Sequence, residues 1–116
     1  MKNKTTKKPV RKVERETDIL RSICDYLTLK KHFFWRANNI PAYDTERKTF
    51  RAMPKYSMHG TPDLIVIKDG FFIGLEVKNA KGRLSTAQKA FAKLCKDTGA
   101  EYYVVRSIDD VKEIGL

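Results

Sequence analysis

The 116 residues hold only two cysteines, two histidines and one tryptophan. Cys24 and Cys95 stand apart, in neither a Cys-x-x-Cys nor a Cys/His cluster, so a zinc site is not expected. Both fall among apolar neighbours in helix-patterned stretches and read as buried free thiols of a reducing cytosol. His32 and His59 belong to no recognisable histidine-metal motif. No apolar run approaches the ~18–20 residues that span a bilayer. The basic N-terminus has no apolar stretch behind it to make a secretory signal. Membrane spanning and secretion are set aside, and the expected location is cytoplasmic. Acids are scarce too: 14 Asp+Glu face 24 Lys+Arg, for a net charge of +10.

Hydrophobic residues make up 41% of the chain, enough for a real core. A chain this long is expected to form one domain, and one of that size buries roughly 60–70% of its unfolded surface. The positive charge is uneven. Lys2, Lys4, Lys7, Lys8, Arg11, Lys12 and Arg15 crowd the first fifteen residues against the single acid Glu14. Residues 1–13 are therefore expected to be a flexible basic tail, and 14–116 the folded domain. Because the body is positive as well, the charge balance points to a nucleic-acid partner whose phosphates the cations would meet.

Ile19, Leu20, Ile23 and Leu27 recur at three and four residues and predict an amphipathic helix. The aromatics of Phe33 to Ala37 predict a strand. Residues 38–60, punctuated by Pro41, Pro54 and Gly60, read as a long polar loop carrying Arg47, Lys48, Arg51 and Lys55. Asp63 to Ile67 and Phe71 to Lys78 read as strands joined at Asp69-Gly70, a strong hairpin signal. Lys81-Gly82-Arg83 is a basic turn. Ser85 starts a helix to about Lys96, with Gly99 as its stop, and Ala87, Phe91 and Leu94 as its expected core contacts. A strand at Tyr102 to Val105 and a short closing helix over 108–114 complete an α/β chain: an αβββαβ order with a small mixed sheet flanked by helices.

A two-residue turn at Asp69-Gly70 sets the register of the hairpin. Lys68 then pairs with Phe71, Ile65 with Gly74, and Asp63 with Glu76. Directly opposed side chains share a face, with Cβ atoms about 4.5–5.5 Å apart. Lys78 points to the same face, roughly 7 Å further along. Two opposed carboxylates between apolar neighbours repel each other. A divalent cation between them would remove the repulsion and supply charge for catalysis, and oxygen ligands suit Mg²⁺ or Mn²⁺ better than zinc. A plain salt-bridged hairpin, with Lys78 neutralising Glu76, is the other reading. Lys78 itself is either a charge donor or, with metal bound, a water-orienting or proton-transfer group.

Two further residues have double readings. Glu16 lies on the apolar stripe of the first helix, where an inward carboxylate needs a partner; it also suits the positive end of the helix dipole. Gln88 completes a Ser-x-x-Gln capping box with Ser85, or it reaches the carboxylates from the helix start, two roles expected to coexist only partly.

The run Gly60-Thr61-Pro62-Asp63, then Glu76-Val77-Lys78, then Gly82-Arg83-Leu84-Ser85-Thr86-Ala87-Gln88 resembles the VRR-NUC family of the PD-(D/E)xK nuclease superfamily. Glu16 and the stretch Tyr103 to Val111 resemble its opening and closing patterns, so the likeness covers about residues 14–114. The resemblance implies a PD-(D/E)xK nuclease-like core and a metal-dependent DNA endonuclease. It implies that Asp63, Glu76 and the Val77 backbone carbonyl bind Mg²⁺ or Mn²⁺. Lys78 would act on the attacking water or the transition state, with Gln88 and Glu16 as further catalytic residues. Stand-alone members of this size are typically phage-encoded homodimers that resemble Holliday-junction resolvases, which would place this one in the host-cell cytoplasm. The same domain ends a larger nuclease that cuts flaps.

The expected activity is thus a structure-specific cut in branched DNA, a four-way junction first. A flap-type nuclease, a nuclease acting on RNA and a catalytically silent nucleic-acid-binding module are the rivals. Lys7, Lys8 and Arg11 of the tail, Arg47, Lys48, Arg51 and Lys55 of the loop, and Lys81 and Arg83 of the turn are the expected backbone contacts.

Overall fold

The structure is a computed structural model that describes residues 13–37, 43–50 and 55–116. Helix α1 (Glu16–Leu29) buries Ile19, Ile23 and Leu27, the stripe its sequence sets out. It ends in a left-handed turn: Lys31 takes φ 61, its N–H donates to Thr28 O and the N–H of His32 to Leu27 O. The last helical carbonyls are satisfied in this way by Lys30, Lys31 and His32 as they leave the helix.

Strand β1 (Phe33–Arg36) follows. The region expected to be wholly loop is not. It contains a short antiparallel hairpin, β2 (Tyr43–Asp44) with β3 (Thr49–Phe50). Two-residue strands leave no periodicity to read, which is why the sequence pattern passes over them. Strands β4 (Leu64–Lys68) and β5 (Phe71–Val77) form the expected hairpin, paired Leu64 with Leu75 through Lys68 with Phe71. Asp69 and Gly70, at φ 52 and 80, supply the two left-handed residues that such a tight turn requires. Helix α2 (Thr86–Thr98) then crosses to β6 (Glu101–Val105), which lies parallel to β5, and α3 (Ile108–Glu113) closes the chain.

The sheet runs β1-β4-β5-β6, so both strands of the central hairpin have neighbours on either side. Its two faces differ. Leu64, Val66, Ile73, Leu75, Val77 and Val105 pack with Ile19, Ile23, Leu27 and Val111 into the main core. Burying a side chain of this kind stabilises by about 1.5–3 kcal/mol, so this layer carries the fold. The opposite face presents Ile65, Phe72, Gly74, Glu76 and Tyr102, with α2 packed at the β6 side. Leu94 does not join the core as expected: it is 49% exposed, and Cys95 takes the inward place at 6%. The helix is turned so that Gln88, Phe91 and Cys95 form its inner stripe, and Leu94 falls one residue outside it. Cys24 is half-buried, and both cysteines are free thiols.

Candidate active site

Asp63 stands one residue before β4, at the end of the hairpin away from its turn. Its backbone carbonyl accepts from Ala37 N. Its side chain crosses to the next strand, where Oδ2 accepts from Val77 N at 2.8 Å. The ladder therefore ends at Leu64 with Leu75, and the Asp63 carboxylate takes the place of the next backbone partner. Two contacts fix the approach. Gly60, at φ 77, lies so close to the first turn of α2 that a Cβ there would stand 2.3 Å from Ala87 O. Pro62 is fully buried, with its ring over Gly74, where a Cβ would meet Pro62 Cγ at 2.8 Å.

Glu76 is 3% exposed. Its Oε1 accepts from Gln88 Nε2 at 2.7 Å, while Oε2 is buried and no other group donates to it. Burial, and next the charge of Asp63, push the Glu76 carboxyl up to about 8 against the opposing pull of Lys78, and a side-chain hydrogen bond with Asp63 and the charge of Glu16 add to the rise. A carboxyl so placed holds its proton at neutral pH.

Gln88 does two things at once. Its Oε1 accepts from Ser85 N at 2.8 Å, its N–H donates to Ser85 Oγ, and its Nε2 donates to Glu76. The amide is divided between cap and carboxylate, so the two roles do not compete. The reverse orientation would set its NH₂ against the Ser85 N–H.

Lys78 follows β5 and donates its backbone N–H to Val105 O. Glu16, the first residue of α1, reaches the same place. A Cβ on Gly82 would lie 3.1 Å from Lys78 Cβ and 3.2 Å from Glu16 Oε2, so the missing side chain lets the 79–82 turn lie against both. Arg106 secures that turn. Its Nη1 donates to Gly82 O at 2.9 Å and also to Asn79 O.

The residues singled out in the sequence thus meet at one end of the sheet: Asp63, Glu76, Val77 and Lys78 from the hairpin, Gln88 from α2 and Glu16 from α1. Among the described residues no three His, Cys, Asp or Glu side chains close on a common metal position. Two carboxylates with backbone and solvent oxygens would have to serve, which suits an ion that keeps several waters. Of the basic residues, Arg47, Lys48, Lys55, Lys81 and Arg83 are exposed, and Lys81 and Arg83 flank Gly82 beside Lys78. Lys55 lies over the Tyr56 ring. Lys7, Lys8, Arg11 and Arg51 lie outside the described residues.

Sequence reasoning passed over two side chains. Arg106 carries no local signal, because its partners are carbonyls of a distant turn. Tyr102 read only as a strand aromatic, yet its ring lies on the Glu76 face with its hydroxyl buried.

A mixed four-stranded sheet flanked by helices, with an aspartate and a Glu-x-Lys at one end of its central hairpin, is a fold of the PD-(D/E)xK nuclease kind. The model of the VRR-NUC domain family matches residues 14–109, most of the chain, and this protein belongs to that family. It is accordingly a nuclease domain, a hydrolase whose substrate is nucleic acid. No curated protein and no solved structure matches the chain. No helix among the described residues is long and apolar enough to cross a membrane.

Proposed function

We propose that this protein is a Mg²⁺- or Mn²⁺-dependent, structure-specific DNA endonuclease that works as a homodimer on four-way junctions. The observation that supports metal dependence is the carboxylate pair: no other group donates to the buried Glu76 Oε2, and Glu76 lies close enough to Asp63 to feel its charge and share a proton with it. A buried carboxylate oxygen without a donor costs about 1–3 kcal/mol or more. A hard divalent cation is the partner that suits it chemically. Asp63 is oriented for such an ion by the bond from Val77 N to its Oδ2. In an extended strand the N–H and C=O of one residue point to the same neighbour. The Val77 carbonyl therefore suits a third oxygen ligand on the Asp63 side.

Bound there, the ion would polarise a scissile phosphate and activate water for in-line attack. The chain's own groups do the rest. Lys78 brings a positive charge to the negative charge that develops on the phosphate. Gln88 fixes the rotamer of Glu76. Glu16, at the start of α1, sits beside the Lys78 stem, where its charge complements the ammonium. Lys81 and Arg83 would hold backbone phosphates next to the cut, and the basic residues of the 40–60 region and of the tail would extend that track. We assign the activity to residues 14–116, with 1–13 as a basic arm, in a cell's cytoplasm.

A four-way junction offers two symmetric strands, and the described residues of one chain form one such site. Paired cuts therefore need two copies about a two-fold axis. The test is cleavage of four-way junction, 5′ flap, splayed arm and plain duplex, each as DNA and RNA, with Mg²⁺, Mn²⁺ or EDTA. Asp63→Ala serves as the blank and is expected to lose cutting while keeping binding. Paired, metal-dependent incision of the DNA junction alone is the expected result. Preference for flaps or RNA would overturn the substrate, and binding without cutting under any metal would overturn the enzyme. A monomer by light scattering that still makes paired incisions would refute the dimer.

A further inference from the structure

Among the described residues three buried side-chain polar atoms have no hydrogen-bond partner, the Asp63 carboxyl beside Glu76 apart: Thr61 Oγ1, Glu76 Oε2 and Tyr102 Oη. Two of these belong together. In the parallel register Tyr102 lies beside Gly74 and Glu76 beside Val104, so Tyr102 and Glu76 share one face of adjacent strands. They are offset by one strand repeat, about 6.6 Å along and about 4.8 Å across, which a tyrosine side chain can bridge. Gly74, directly beside Tyr102, has no side chain to stand between them, and the Pro62 ring roofs that position. The Tyr102 ring is packed against Phe91 with centroids 6.1 Å apart. Phe91 lies one turn along α2 from Gln88, the residue that already holds Glu76 Oε1. One helix therefore positions both the donor on Oε1 and the Tyr102 ring on the same face.

The electrostatics agree with this placement. The Tyr102 phenol is raised above its ordinary value, first by burial and then by the charges of Glu76 and Asp63, with Cys95 a smaller contributor. A phenol is a donor, and Glu76 Oε2 is an acceptor with two lone pairs. Leaving each buried and unmade would cost about 1–3 kcal/mol apiece.

We propose that Tyr102 is a positioning residue for the carboxylate pair: when a divalent cation displaces the Glu76 proton, the Tyr102 hydroxyl turns to donate to Oε2 and fixes the direction of the lone pair left for the ion. The inference rests on the metal-dependent reading above and adds a residue that reading did not use. A hydrogen bond of this kind to a ligating carboxylate typically changes metal affinity by about 10–100-fold when lost. Tyr102 does not touch the reacting atoms, so its effect runs through Glu76.

The experiment is Tyr102→Phe, which keeps the ring against Phe91 and removes only the hydroxyl. Mn²⁺ binding to the intact protein without DNA is measured by calorimetry, beside melting in EDTA. The expected result is a Mn²⁺ Kd raised about tenfold, with the metal-free Tm unchanged within about 2 °C. Cleavage should show the same shift in the Mn²⁺ concentration for half-maximal rate, with the rate at saturating Mn²⁺ largely recovered. Tyr102→Leu, which also loses ring packing, should lower the metal-free Tm as well. An unchanged Kd for Tyr102→Phe beside a wild type that binds Mn²⁺ overturns the role of Tyr102 and leaves the nuclease reading standing. A wild type that binds no Mn²⁺ and cuts nothing overturns both.

Discussion

Replacing Glu76 by glutamine should make the metal-free protein more stable while it destroys the activity. Glu76 holds its proton in the folded protein up to about 8, against an ordinary value of 4.5. Between those values the folded state binds one more proton than the unfolded state, so stability falls as pH rises. The contribution is fully present below about 4.5 and is lost as pH passes through about 8. The slope for one proton is about 1.4 kcal/mol per pH unit, so by pH 7 the loss approaches about 3 kcal/mol. A glutamine side chain would keep the shape and the acceptor for Gln88 Nε2 but has no proton to lose. Allowing for relaxation, Glu76→Gln should gain about 2 kcal/mol at pH 7, or roughly 10 °C in Tm for a domain of this size. The assay is thermal unfolding in EDTA from pH 5 to 8.5. Wild type should melt progressively lower with pH relative to the variant, and the two should converge toward pH 5. A divalent metal should narrow or reverse the order at pH 8, because a ligand at 100 times its Kd adds about 2.7 kcal/mol to the protein that binds it. A variant that melts below wild type at pH 7.5 in EDTA, or a gap that does not close at low pH, would refute the buried-carboxyl reasoning.

Two other perturbations test how the site is held. Gly60→Ala puts a methyl on backbone at φ 77 and 2.3 Å from Ala87 O, whereas Gly70→Ala, at φ 80, meets nothing within 4 Å. The first should cost about 3 kcal/mol or more and the second only about 1 kcal/mol, read as paired Tm shifts; equal shifts would mean that the Gly60 contact with α2 is not a constraint. Arg106→Ala frees the two carbonyls at Asn79 and Gly82, and should lower cleavage several-fold for a stability loss of only about 1–2 kcal/mol. Arg106→Lys, a single point charge in place of a planar fork, should recover only part of that rate, and full activity in the alanine protein would remove Arg106 from the positioning of Lys78.

Much of this protein is legible locally. The Asp69-Gly70 turn and the period-two runs on either side determine the hairpin register by themselves, because a turn of fixed length leaves one pairing and pairing decides which side chains share a face. Asp63 and Glu76 follow from that, and so does the position of Lys78. Ser85 with Gln88, and Gly99 at φ 86, mark the limits of α2 through hydrogen bonds and backbone conformation confined to a few residues. The stripe Ile19-Ile23-Leu27 sets the face of α1 by helical period alone.

Other features depend on chain segments that have no fixed spacing. The rotation of α2 that turns Cys95 inward and Leu94 outward goes with Gln88 reaching Glu76, twelve residues earlier on another element. Arg106 finds its carbonyls 24 and 27 residues away. Tyr102 comes beside the carboxylates only through the parallel pairing of β5 with β6, whose register is set by how α2 docks, not by a turn. The burial that pushes Glu76 up to about 8 belongs to no single segment. Sequence by itself determined which residues could make the site, since short-range hydrogen bonds and periodicity act within one element. Tertiary structure decided the environment of Glu76, since burial and long-range register come from surfaces that meet only once the helices close over the sheet.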